Sequence, residues 1–102
     1  MQTKTKRRPS EVLQENRELI RRTALLHRTE NPRVFGSVLH GEDTDGSDLD
    51  LLVDPLPGVT LFDLGAIQIE LEESLGISVD VKTPSELPKK FREQVVSEAQ
   101  PV

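Results

Sequence analysis

Asp48 and Asp50 stand two residues apart at the head of the apolar run Leu51-Leu52-Val53, and the pair Gly36-Ser37 precedes them with ten residues between. An apolar run opened by alternating acids reads as a strand over 48–53, charged at its entry and buried beyond it. Because side chains alternate across a strand, both carboxylates point to one face while Leu49 and Leu51 point to the other. Like charges this close repel each other. They are most easily held with a divalent cation between them, and Mg²⁺ suits a site of carboxylate and phosphate oxygens. The chain must therefore cover one face of this strand and leave the acidic edge of the other open to a ligand.

The pattern on either side of that strand supplies the cover. Ser10 can cap a helix over 11–28, where Val12, Leu13, Leu19, Ile20, Thr23 and Leu26 keep helical spacing and polar Asn16 fills one slot between them. Asn31-Pro32 stops it, since proline disfavours helical geometry in the residue before it, and Arg33-Val34-Phe35 reads as a short strand ending at Gly36. Residues 41–47 hold no apolar side chain and read as an exposed connection. Pro55, Pro57 and Gly58 end the next strand, and Thr60-x-x-Asp63 is a capping box for a helix with Leu61, Leu64, Ile67, Leu71 and Leu75 on one face. Gly76 closes it. Residues 77–81 alternate as a third strand, with Asp80 between Val79 and Val81. Thr83-Pro84-Ser85-Glu86 then opens a last helix with a stripe of Leu87, Phe91, Val95 and Val96. This order of helix, strand, strand, helix, strand, helix predicts a small layered α/β or α+β domain over 10–102, behind a flexible basic tail at 1–9.

Bulk composition narrows the chemistry. A chain of 102 residues is one domain by length and buries roughly 65% of its unfolded surface. Hydrophobic content of 34% with three aromatics is lean, so the core must come from Leu, Val and Ile. There is no cysteine, which excludes disulfides, thiolate metal sites and thiol catalysis and fits a cytoplasmic setting. A net charge of −5 argues against general nucleic-acid binding, which needs a basic surface. Lys4, Lys6, Arg7 and Arg8 form either a solvated end or an arm that touches nucleic acid or an acidic partner. No stretch approaches the ~20 apolar residues of a membrane span.

Three further residues complete a candidate site. Gly36 lets backbone N–H groups approach a phosphate without a Cβ in the way, and the Ser37 hydroxyl can hydrogen-bond it. Asp80, flanked by apolar residues in a strand expected to lie in the interior, needs a partner: either the other two acids, through cations, or a nearby Lys or Arg. Three carboxylates can hold two cations about 3.5–4 Å apart, the arrangement that activates a nucleophile and steadies a leaving pyrophosphate. His40 can reach phosphate oxygens, and turn packing explains it as well. The acids at 43–48 do not make an EF-hand, because Asp48 and Asp54 occupy the sixth and twelfth positions counted from Asp43. His27 and His40 are too few for zinc, and His27 is expected on a helix surface.

Gly36-Ser37, ten residues, Asp48-Leu49-Asp50 and a later Asp80 together resemble the signature of the polymerase-β-like nucleotidyltransferase superfamily. From Arg33 to the C-terminus, including Leu61-Phe62-Asp63-Leu64 and Val79-Asp80-Val81-Lys82-Thr83-Pro84, the chain is similar to the minimal nucleotidyltransferase (MNT) antitoxins that pair with HEPN-domain ribonuclease toxins. The resemblance implies a small mixed sheet packed against helices. It also implies an Mg²⁺-dependent enzyme that transfers AMP from ATP to a tyrosine hydroxyl of the toxin and forms a hetero-oligomer with it. Carried over by position, Gly36 and Ser37 would bind nucleotide phosphates, Asp48 and Asp50 would ligate two metal ions, and Asp80 would ligate one and help deprotonate the acceptor. Relatives commonly carry Arg before the glycine corresponding to Gly41; here His40 stands there, so the resemblance implies charge compensation at the phosphates that is weaker and pH-dependent. After the site is built, about 100 residues leave no room for an acceptor-binding domain, which favours a macromolecular acceptor. Two other readings stand beside this one: an antitoxin that blocks its toxin sterically, and a transferase for a small molecule.

Overall fold

A computed structural model describes residues 7–102, so Lys4 and Lys6 of the expected tail lie outside the described residues. The chain forms α1 (Pro9–Glu15), α2 (Arg17–Leu26), β1 (Thr29–Phe35), the single turn α3 (Gly36–Leu39) and β2 (Leu49–Pro55). Then come α4 (Leu61–Leu75), β3 (Val79–Lys82), a 3₁₀ turn at Pro84–Glu86, α5 (Lys89–Glu98) and β4 (Gln100–Pro101). The strands make one mixed sheet in the order β3-β2-β1-β4, with β1 antiparallel to β2 and β4, and β2 parallel to β3. The expected mixed α+β architecture is what the chain adopts.

Strand alternation decides which face is covered. Leu49, Leu51 and Val53 of β2, Val34 of β1 and Val79 and Val81 of β3 are buried in one core with Ile20 and Ala24 of α2 and Leu64, Ile67 and Leu71 of α4. On the opposite face Asp50, Leu52 and Asp54 alternate with them, and there the fully buried Leu52 lies on a strand that contacts the 3₁₀ turn. The α4 cap matches the sequence pattern: the Asp63 N–H donates to Thr60 Oγ1 at 3.4 Å, the Thr60 N–H donates to Asp63 Oδ2 at 2.8 Å, and Gly76 ends the helix in the left-handed region. Thr60→Ala is therefore expected to cost about 1 kcal/mol and to lower Tm by about 4–8 °C in a thermal melt.

Several expectations are corrected. The helix predicted over 11–28 is two helices, because the Asn16 side chain turns back to donate to the Val12 carbonyl at 2.8 Å and its backbone leaves helical geometry at φ −132°. The first begins at Pro9, which is buried, and Ser10 lies inside it rather than capping it. Asn31-Pro32 lies within β1, at the irregularity between Glu30 and Arg33, with Asn31 at φ 52°. Leu61 is exposed, so the buried face of α4 starts at Leu64. The second capping box closes only the 3₁₀ turn, since Pro88 separates it from α5. No residue of α5 is buried, and of the predicted stripe only Leu87, which precedes the helix, is. β3 is an edge strand rather than an interior one. No helix among the described residues is long and apolar enough to cross a membrane.

Candidate active site

The end of β1 meets the beginnings of β2 and β3 at one corner of the sheet. Phe35 pairs with Asp50, and Asp50 pairs with Asp80. In-register partners on adjacent strands project to the same face, so the two carboxylates lie side by side on the face away from the main core. Asp48 stands just before β2, exposed, and the Leu49 N–H that follows it donates to the Ser78 carbonyl at 2.9 Å. The sequence-predicted acids are thus brought to one corner.

Their electrostatics show the proximity. Burial first, then the charges of Asp80 and Asp48, push the Asp50 carboxyl up to about 6, and Lys82 pulls the other way. Lys82 Nζ lies 3.4 Å from Asp80 Oδ1. Of the two partners that the sequence offered as alternatives, the lysine is the one in contact with Asp80, while Asp50 lies opposite it on the neighbouring strand. Lys82 is a site residue that sequence reasoning missed; its signal was its position two residues after Asp80 in an alternating strand, which places it on the same face.

Gly36 is fitted to this corner by contact as well as by sequence. It adopts φ +74°, and a Cβ there would lie 2.2 Å from Asp50 Oδ2, so the carboxylate rests against the space that a side chain would fill. Ser37 follows in the first turn of α3, half-buried, with its carbonyl accepting the Glu42 N–H at 2.9 Å. His40 closes α3, half-exposed, and its Nε2 lies 3.5 Å from Glu98 of α5. A groove of about 310 Å³ runs between α3 and α5, walled by Phe35, Gly36, Leu39, His40, Phe91 and Val95, which is where the apolar stripe of α5 is used. His27 is half-buried at the end of α2 and pairs with Glu70 of α4, not free on a helix surface.

The loop from 41 to 48 is less uniform than its composition suggests. Glu42, Thr44, Asp45 and Gly46 are exposed, yet Asp43 is buried. Burial works against its charge, but the Ser10 backbone N–H at 2.9 Å, the Ser10 hydroxyl and Arg8 at 3.4 Å outweigh it and hold the carboxyl below its usual range.

Among the described residues no three acidic or imidazole groups already stand at cation-holding distances. The donor set nevertheless suits Mg²⁺ in kind: hard oxygens from three carboxylates, one of them, Asp50, kept near the Gly36 backbone with its pKa raised by burial and by the charges of Asp80 and Asp48.

Residues 23–102 match the polymerase beta nucleotidyltransferase family. A candidate protein adenylyltransferase of Methanocaldococcus jannaschii, MJ0435, is 36% identical over 75 residues, covering 74% of this chain and 81% of that protein. A solved structure described as a minimal nucleotidyltransferase superposes with a TM-score of 0.81 at 41% identity, covering 91% of this chain and 95% of that one. A toxin–antitoxin crystal structure with AMP-PNP shares the fold at a TM-score of 0.62 and 19% identity, over 89% of this chain and 66% of that one. Agreement of this extent in sequence and fold, over the residues that build the acidic corner, shows that the chain is a nucleotidyltransferase and belongs to the polymerase beta nucleotidyltransferase family in its minimal form.

Proposed function

We propose that the chain transfers the adenylyl group of ATP to a tyrosine hydroxyl of a partner protein, a HEPN-domain ribonuclease toxin, and neutralises that toxin as its antitoxin. The observation that carries this reading is the meeting of Asp48, Asp50 and Asp80 beside the Gly36-Ser37 turn. The adenylyltransferase name of the archaeal relative and the toxin–antitoxin complexes that share the fold support the choice of acceptor.

In this reading the acceptor oxygen forms a bond to the α-phosphorus as the α–β anhydride bond breaks and pyrophosphate departs, with the entering and leaving oxygens in line. Asp48 and Asp50 would hold two Mg²⁺ ions and Asp80 one of them; bound there, the ions supply charge neutralisation at the transferred group and activation of the attacking oxygen. Asp80 lies on an edge strand with its side chain 39% exposed, where an incoming hydroxyl can reach it and give up its proton. The Gly36 backbone and Ser37 hydroxyl receive the departing phosphates. His40, at the far end of the same turn, would contact the phosphate oxygens. The apolar walls of the α3–α5 groove offer a place for the nucleoside. Exposed Leu25, Leu26, Leu61, Phe62 and Ile69 give the partner apolar surface on which to dock.

Incubation with the co-purified partner, Mg²⁺ and ATP is expected to add AMP-sized mass increments to the partner, at tyrosine. Asp48→Asn is expected to stop the modification without dissociating the complex. A wild-type complex that adds no increment under these conditions rules out the reading.

A further inference from the structure

The acidic corner depends on a loop with almost nothing to hold it. Between α3 and β2 the chain has no apolar side chain from 41 to 48, and most of its residues are exposed, so hydrophobic burial cannot order it. The attachments that remain are polar, beginning with the Gly41 N–H, which donates to the Val38 carbonyl at 3.3 Å. The Glu42 N–H donates to the Ser37 carbonyl at 2.9 Å. A local turn joins Thr44 and Ser47, in which the Thr44 N–H donates to Ser47 Oγ at 2.9 Å and the Ser47 N–H to the Thr44 carbonyl at 3.1 Å. Between these two lies Asp43, whose side chain is 0% exposed.

What Asp43 grips is distant in sequence. Its Oδ2 accepts the backbone N–H of Ser10 at 2.9 Å, and its Oδ1 lies 3.4 Å from Arg8. The first turn of α1 has no side-chain cap of its own from Arg8, so the loop carboxylate satisfies an amide that the helix leaves unpaired. α1 is in turn fixed to the core by Val12 and Leu13. A continuous chain of contacts therefore leads from the core through α1 to Asp43, across the Thr44–Ser47 turn, and to Asp48.

We propose that Asp43 is a positioning residue for Asp48: by tying the loop to the N-terminal turn of α1 it sets where Asp48 stands relative to Asp50 and Asp80. The inference rests on the reading of Asp48 as a cation-holding acid. It gives the N-terminal segment a part in the reaction that its sequence does not announce, since Arg8 and Ser10 act on the site without reaching it. Asp43 itself stays outside the chemistry, because its carboxylate is already occupied.

Two measurements test this on the full chain with its partner bound. The first is amide hydrogen exchange over residues 44–48 in wild type, Asp43→Ala, Asp43→Asn and Arg8→Met. Asp43→Ala should speed exchange there and at Ser10 while α4 stays protected, and Asp43→Asn, which keeps an acceptor oxygen, should restore part of the protection. The second is Mn²⁺ affinity, read by its electron paramagnetic resonance signal. Asp43→Ala should weaken it by about tenfold in an otherwise wild-type chain. In an Asp48→Asn background the same change should have little further effect, because the ligand that Asp43 positions is already gone. An equal loss in both backgrounds would mean a general structural role and overturn the proposal, as would unchanged exchange at 44–48. Should wild type bind no Mn²⁺, the reading of the acids as a cation site fails. Exchange alone then decides the tie, which faster exchange in Asp43→Ala sustains and unchanged exchange rejects. If Asp43→Ala does not fold, Arg8→Met and Asp43→Asn carry both measurements, with smaller effects in the same direction.

Discussion

Asp50→Asn is expected to abolish nucleotidyl transfer while making the metal-free protein more stable at pH 8. The carboxyl of Asp50 is pushed from an ordinary value of 3.8 up to about 6 by burial, by Asp80 and by Asp48, with Lys82 only partly offsetting them. A group whose folded value is raised binds more protons in the folded state than in the unfolded one. Stability therefore falls as pH rises from about 3.8 to about 6, and above that window the full penalty remains. A displacement of that size corresponds to at most about 3 kcal/mol, and the half-exposed setting reduces it through solvent screening to about 1 kcal/mol. Asparagine removes the charge and keeps the shape. In thermal melts without added metal, Asp50→Asn should melt above wild type at pH 8, with the gap closing as pH falls toward 4. Excess Mg²⁺ should raise wild type and leave the variant unmoved, because a cation that binds the folded state stabilises it by mass action. The rate of transfer should drop by at least about 10³-fold, since the change removes a charge aimed at the reacting group. A variant less stable than wild type at pH 8 would show that the Asp50 charge is not held against repulsion, and the account of the acidic corner would have to be abandoned.

Part of the corner was legible in the sequence because its logic is local: alternation within one strand sets Asp48 and Asp50 on one face, and the turn where β1 ends calls for Gly36, whereas Asp80 comes beside Asp50 only because β3 pairs with β2. Lys82 was legible by the same rule and was passed over. The place of β3 at the sheet edge could not be read, because strand order depends on which edges pair across the whole chain, and the two-residue strand Gln100–Pro101 that closes the other edge carries no periodicity. Asn16 in an apolar slot was a visible sign of a helix break, yet spacing on either side of it favoured continuity. Asp43 was hidden for a different reason. A loop of Gly, Asp, Thr and Ser reads as solvated, and the burial of one of its acids follows from partners that lie 33 and 35 residues away. The apolar stripe on α5 was legible from spacing, but not the groove that Phe91 and Val95 line, since periodicity gives the face of a helix and not what lies opposite it.

Gly36→Ala is expected to lose transfer activity far more than stability, and Gly41→Ala to show the reverse. Both glycines sit in the left-handed region, at φ +74° and φ +70°, where an L side chain costs about 1–2 kcal/mol. They differ in what a Cβ would meet. At Gly41 nothing lies within 4 Å, whereas at Gly36 the Cβ would stand 2.2 Å from Asp50 Oδ2 and 3.1 Å from its Cγ. The obstacle is the end of a side chain rather than backbone, so the fold can absorb it by turning the Asp50 carboxylate aside. That movement carries the acid away from Asp80 and from any cation the two would share, and a displacement of about 1 Å at a reacting group costs about 10²-fold in rate. Both variants should therefore melt about 4–8 °C below wild type, and only Gly36→Ala should lose at least about 10²-fold in transfer. Equal losses of rate in the two variants would assign the effect to backbone strain. The backbone cost is common to both and the collision is not, so the difference in rate isolates what Asp50 contributes from its seat against the Gly36 backbone.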